Sequence, residues 1–178
     1  MRRVLPHEYS KYCTHLKLLD PESRTFRFGH AVSDQFIDAL YNQFQQNADR
    51  NILFCVENKN LEFVAIGHIA LDGNNTELAF SVLKQHQGQG LGSLLMKRCI
   101  QWCRVHNVLD AYMVCVSTNS RIKNLCVRHG IKITNQNDET LASIKLPVAT
   151  PATFVEEIAS INLATIDYFN KRLVQHTG

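Results

Sequence analysis

Three glycines at alternate positions, Gly88, Gly90 and Gly92, lie between a strand-like run that ends at Leu83 and a helical run that opens at Leu91. A strand that enters a glycine-rich turn and leaves as a helix is a joint of an α/β layer. Its missing side chains let an anion reach the backbone. The amides at the start of the helix point outward at the favourable end of the helix dipole, so the joint is suited to phosphate. A turn that only permits close helix–sheet packing is the plain structural alternative. Two phosphate patterns do not fit. A P-loop needs a lysine after its last glycine, and Ser93 follows Gly92. A dinucleotide fingerprint needs a glycine at position 93 and follows the first strand of its unit. Asp110 stands where a ribose acid would, but several hairpin strands precede this loop.

Upstream of the joint, Ile52 to Val56, Phe63 to Leu71 and Glu77 to Leu83 read as strands joined by short polar turns, Glu57–Asn60 and Asp72–Asn75, which predicts antiparallel hairpins. Before them, Asp20-Pro21-Glu22-Ser23 is a turn that Asp20 can cap, and Ser33 caps a helix carrying Phe36, Ile37, Leu40, Tyr41 and Phe44 at helical spacing. Downstream, a helix over 91–106 places Leu94, Leu95, Cys99, Trp102 and Val105 inward. A buried strand over 111–116 and a helix over 120–129 ending at Gly130 follow, then two short strands near 131–134 and 141–146. Pro147 and Pro151 precede a last helix, about 152–174, striped by Ile158, Ile166, Phe169 and Leu173. The expected fold class is α/β (α+β): one mixed, mostly antiparallel sheet of about six to seven strands flanked by helices. Residues 1–150 make the domain, and 151–178 an extra C-terminal helix packed on it or at a homodimer interface.

Gln85-His86-Gln87-Gly88-Gln89-Gly90, in this strand–loop–helix setting, resembles the Gln/Arg-x-x-Gly-x-Gly/Ala motif of the GNAT superfamily of N-acetyltransferases. The resemblance runs over roughly residues 8 to 146. From Glu77 to Met96, and around Leu19–Arg24, it is most similar to the acetyltransferase module of bacterial protein-lysine acetyltransferases. It implies acetyl-CoA as co-substrate, no metal, and a primary amine acceptor: a protein lysine, a polyamine or an amino-acid-like compound. The loop residues Gln87, Gly88, Gln89, Gly90, Leu91, Gly92 and Ser93 would hold the pyrophosphate. Val82 would give a backbone N–H to the developing oxyanion, with Leu83 and Lys84 pairing along the pantetheine arm and Asn119 contacting that arm or ordering the strand end. Glu77, by its place on the strand, would be the general base; an exposed strand acid is its other reading. Cys126 stands where many members carry a tyrosine general acid. A thiol of pKa about 8.5 could protonate the leaving thiolate, and core packing is the competing role. The alternative function is a non-catalytic module that binds acetyl-CoA or CoA as a sensor.

Composition narrows the setting. From Lys84 to Lys132 eight basic residues face one acid, Asp110, a net +7; the remainder, eleven bases against fifteen acids, is −4. That asymmetry suits an anionic ligand on one side and a cationic one on the other, for which Asp20, Glu22, Asp34 and Asp38 are candidates. The basic residues are not interleaved with stacking aromatics, which disfavours nucleic acid. Cys99 and Cys103 lack a matching pair for zinc, and the eight histidines show no ligand spacing. His68 is either a structural histidine or part of an acceptor cleft. The six cysteines lie in apolar runs, no stretch approaches a membrane span, and the N-terminus turns polar at once. A cytoplasmic location without membrane partners is the expectation.

Overall fold

The computed structural model describes residues 1–72, 75–136 and 139–176. The apolar runs upstream of the glycines form a meander of β2 (Asn51–Glu57), β3 (Phe63–Asp72) and β4 (Asn75–Val82). A two-residue β1 (Arg2–Arg3), which nothing in the sequence pattern signals, pairs with the outer edge of β2. Beyond the loop, α4 (Leu91–Val105) leads to β5 (Asp110–Val116), and α5 (Ser120–Arg128) to the hairpin β6 (Lys132–Gln136) and β7 (Glu139–Lys145). The sheet runs β1-β2-β3-β4-β5-β7-β6, antiparallel at every junction except β4/β5. This is the expected mixed, mostly antiparallel sheet, with β1 as its seventh strand. Gly73 and Asn74, in the expected turn at 72–75, lie outside the described residues.

Both faces of the sheet are buried, because consecutive strand residues point to opposite sides. Ile52 and Phe54 of β2 join a core under α4 and α5, while Leu53 and Cys55 join a second core under α1 (Tyr9–Lys17) and α3 (Asp34–Gln46). Gly67 explains how closely α4 lies on β3: a Cβ there would sit 2.9 Å from Cys99 Sγ. All six cysteines are free and buried. Asp20 caps a helix rather than an isolated turn. Its carboxylate accepts from the Ser23 N–H at 3.2 Å and opens α2 (Pro21–Phe28), which Gly29 closes in the left-handed conformation.

One expectation about packing is corrected. Leu94 is exposed, because it sits on the outer side of α4 while Leu95, Cys99 and Trp102 point inward. The C-terminal helix, α6 (Pro151–His176), lies against α4 and β1 through a polar side. Arg98 donates twice to Glu157 at 2.6 Å, both residues buried, and Lys171 Nζ donates to the Glu57 carbonyl at 3.1 Å. The apolar stripe of Ile158, Ile166, Phe169 and Leu173 is 56–64% exposed.

Candidate active site

Strands β4 and β5 pair at one point, Glu77 opposite Tyr112, and then separate. The opening is lined by Leu78, Ala79 and Phe80 on one lip and Met113, Val114 and Cys115 on the other, with Phe26 and Arg27 of α2 and Asn119 and Ile122 at its ends. The cavity these residues line is about 30 Å³.

The β4 lip carries unpaired backbone groups. Leu83 donates its N–H to the Val64 carbonyl at 3.0 Å. Because an antiparallel ladder alternates, the N–H and C=O of the preceding residue, Val82, point the other way, into the opening. The Val82 carbonyl is held by Gln87 Nε2 at 3.0 Å, and the same amide donates to Ser23 Oγ at 3.1 Å, tying strand end, glycine loop and α2 together. The Val82 N–H remains aimed into the opening. Leu83 itself does not line it: its N–H serves Val64, its carbonyl accepts from the His86 N–H at 2.8 Å, and its side chain is buried among α1 and α3 residues. Lys84 is exposed in the short helical turn Lys84–His86.

The loop then delivers its amides. Gly88 and Gly90 have φ of 76° and 79°, where a side chain is disfavoured, and a Cβ at either would meet nothing within 4 Å. Gly90 is the N-cap of α4 and supplies no side-chain cap. The first intrahelical bond runs from the Leu94 N–H to the Gly90 carbonyl at 3.1 Å, so the N–H groups of Gly90, Leu91, Gly92 and Ser93 have no intrahelical acceptor. A Cβ on Gly92 would rest 3.7 Å from Leu125, and Ser93 Oγ is hydrogen-bonded to His129 Nε2 at 2.8 Å, which fastens the start of α4 to α5.

Glu77 is half-buried at the closed end of the opening. Burial first, then the carboxylates of Glu77 and Asp72, raise the neighbouring Tyr112 phenol above its ordinary range. Asn119 is the N-cap of α5, its Oδ1 accepting from the Ile122 N–H at 3.2 Å, and it is nearly buried at the lip. Cys126 is buried in the core beneath α4 and α5, and burial pushes its thiol up to about 11.

Several site residues carry no local sequence signal. Arg27 Nη2 donates to the Tyr12 hydroxyl at 3.0 Å and to His68 Nδ1 at 2.9 Å. A guanidinium only donates, so Nδ1 is the acceptor and the His68 proton lies on Nε2, which donates to Asn51 Oδ1 at 2.8 Å. Burial holds His68 neutral. Arg27 pairs with no carboxylate among the described residues, and its buried Nε has no partner. On the same face His15 donates from Nδ1 to the Phe63 carbonyl and accepts the Ser81 hydroxyl at Nε2, each at 2.8 Å. The acids proposed for a cationic acceptor are already engaged. Asp34 pairs with Arg24 at 2.7 Å, Asp38 with Lys17 at 2.6 Å and Glu22 with Arg121 at 3.7 Å, while Asp20 caps α2.

The sheet is thus splayed at its one parallel junction, and a glycine loop and a helix N-terminus without a side-chain cap lie beyond it. Residues 16–131 match the acetyltransferase (GNAT) family, and the chain belongs to it: the protein is an acetyltransferase. No curated protein matches the sequence. Solved structures share the fold. The GNAT domain of S. lividans PAT superposes with a TM-score of 0.68 at 15% identity, over 82% of this chain and 89% of that one. A GNAT-family acetyltransferase from Streptococcus pneumoniae gives 0.64 at 17% identity over 82% and 98%. The dodecameric spermidine N-acetyltransferase from Vibrio cholerae gives 0.60 at 15% identity over 81% and 91%. Among the described residues no group of three or more His, Cys, Asp or Glu side chains is placed to hold a metal ion, and no helix is long and apolar enough to cross a membrane.

Proposed function

We propose that the protein moves an acetyl group from acetyl-CoA to a primary amine by direct attack, with Glu77 as the general base, in the cytoplasm. The observation that carries this reading is the combination of the β4/β5 opening with the unpaired N–H groups of Val82 and of Gly90 to Ser93. The open space at Gly88 and Gly90 leaves room for a diphosphate, and Gln87, Gln89 and Leu91 are their neighbours in the chain. Bound there, acetyl-CoA supplies the activated acyl group as a thioester. Asn119 and Val82 flank its pantetheine arm.

At neutral pH a lysine-like amine with pKa near 10.4 must give up its proton at a cost of about 4–5 kcal/mol before it can attack. Glu77, half-buried beside the opening, accepts that proton directly or through water. The Val82 N–H donates to the carbonyl oxygen as negative charge builds on it. Cys126 serves packing in this reading, since a buried thiol pushed up to about 11 is a poor acid for the leaving thiolate, and water delivers that proton. The acceptor is a protein lysine, a polyamine or an amino-acid-like amine, and it meets Arg27 at the mouth of the opening. The same burial of Cys126 favours a second reading, a CoA-binding module without turnover.

Two measurements separate these readings. Acetyl-CoA at about 100 times its Kd adds roughly 2.7 kcal/mol of stability, a Tm rise on the order of 5–10 °C, under either one. Acetyl transfer to a panel of lysine peptides, polyamines and amino acids occurs only under the first. In Glu77→Gln, transfer falls about 10²–10⁴-fold with the acetyl-CoA thermal shift retained. Undiminished transfer in that variant removes Glu77 from the mechanism.

A further inference from the structure

Arg27 is a charged side chain at the opening to which the acetyl-transfer reading gives no task. Its Nη2 donates to the Tyr12 hydroxyl and to His68 Nδ1, and the guanidinium lies 5.0 Å from the centre of the Phe28 ring. All three partners are uncharged, since burial keeps the Tyr12 phenol and the His68 imidazole neutral. They fix the direction of the guanidinium but supply no anion. Among the described residues Nε and Nη1 make no hydrogen bond; Nε is buried and Nη1 is not. A buried donor without a partner is costly, and an anion brought by a ligand would relieve that cost. The sheet register places this group relative to Glu77. His68 of β3 stands directly opposite Ala79 of β4, so their side chains share a face, the one on which His68 packs against Tyr12 of α1 and Phe44 of α3. Glu77 is two residues from Ala79 on the same strand, hence on that same face and about 7 Å along it.

We infer that the acceptor is a free amino acid, its carboxylate bound by Arg27 while its amine meets Glu77; this rests on the acetyl-transfer reading above. An amino acid holds its amine and carboxylate about 3 Å apart, and a hydrogen bond of about 2.9 Å at each end bridges the spacing between the two side chains. The carboxylate takes a charge-assisted bond from a guanidinium that its own chain leaves without an anion. A polyamine would bring a second cation towards Arg27 instead. The acids that could offset that cation are occupied: Asp34, Asp38 and Glu22 by basic side chains and Asp20 by the α2 cap. In the transfer the neutral amine nitrogen bonds to the acetyl carbon and the carbon–sulfur bond breaks. The proton that the nitrogen sheds leaves through Glu77, and water protonates the CoA thiolate. Arg27 touches the carboxylate rather than the reacting atoms, so it sets which amine is accepted.

The test pairs each common amino acid with its own carboxamide, which keeps the amine and removes the negative charge. Calorimetric titration into protein saturated with CoA measures binding, and acetyl transfer from acetyl-CoA is followed for the same pairs, for polyamines and for peptides with an internal lysine. At least one amino acid is expected to bind more tightly than its amide and to be acetylated. In Arg27→Gln its advantage over the amide should fall about 10–150-fold, the worth of one charge-assisted hydrogen bond, with the acetyl-CoA thermal shift retained as the check on folding. Arg27→Lys, which keeps the charge, should restore part of the advantage. The inference is overturned if every amino acid binds no better than its amide, or if the advantage survives intact in Arg27→Gln. A polyamine or lysine peptide that reacts faster than every amino acid also overturns it. Carboxylate-selective binding that Arg27→Gln abolishes, with no transfer to any amine, supports the carboxylate site and removes the acetyl-transfer reading alone.

Discussion

Replacing Gly90 with alanine separates the loop's two roles, because backbone and ligand respond by calculable and different amounts. Gly90 sits at φ 79°, and an alanine held there costs about 1–2 kcal/mol. For a chain this size that is a Tm loss of roughly 2–8 °C. The new methyl meets no protein atom within 4 Å, so no clash is added to that figure. The space it enters is the space above the amides of Gly90 to Ser93. Excluding one charge-assisted hydrogen bond there loses about 1.5–3 kcal/mol of binding, so acetyl-CoA affinity should fall roughly 10–150-fold. Gly29→Ala is the control: Gly29 has φ 80° and open space around its Cβ, but it closes α2 rather than the loop. Calorimetric titration with acetyl-CoA and thermal melts of both variants give the comparison. Similar Tm losses with weakened binding only in Gly90→Ala are expected. Wild-type affinity in Gly90→Ala, or equal weakening in both, refutes phosphate binding at this loop.

Burial lowers His15 from its ordinary 6.5 to about 4 in the folded chain. Between these values the unfolded chain binds a proton that the native one refuses, so stability is lost as pH falls from about 6.5 to 4, by about 3 kcal/mol in total. Urea denaturation at pH 7 and pH 5 checks this; equal stability at the two values contradicts it, and a glutamine at position 15 should flatten the curve. Glu157→Ala leaves the Arg98 guanidinium buried and unpaired, which should cost about 3–5 kcal/mol and lower Tm on the order of 10 °C. Arg98→Met/Glu157→Leu should recover most of that loss, and a double variant as unstable as the single one would show that the helix is held by other contacts.

The joint at Gly88–Gly92 was legible because its signal is local: glycines, a strand and a helix within twenty residues. The meander, the Ser33 cap and the buried thiols were legible for the same reason. The Arg27–His68–Asn51 chain was not, since its members lie 41 and 17 residues apart and only the pairing of β2 with β3 and the docking of α2 bring them together. Leu83 lies one step of strand alternation from the backbone groups that face the opening. Whether an N–H serves the neighbouring strand or the opening depends on register, which side-chain identities do not encode at a residue whose backbone is the functional group.

Charge and periodicity fail in a related way. The acids of the first forty residues summed to an attractive surface for a cation. Each of Glu22, Asp34 and Asp38 nevertheless meets a basic side chain, and Arg27 near the opening pairs with no carboxylate among the described residues. A sum along the chain cannot distinguish a paired charge from a free one, and only the free one selects a ligand. For α6 the 3.6-residue period located an apolar face but could not tell which side the domain would take. The decision came from single residues, Glu157 with its buried partner Arg98 and Lys171 with the Glu57 carbonyl. Those contacts turn the polar side inward. A helix so fixed keeps its apolar face outward unless another chain covers it.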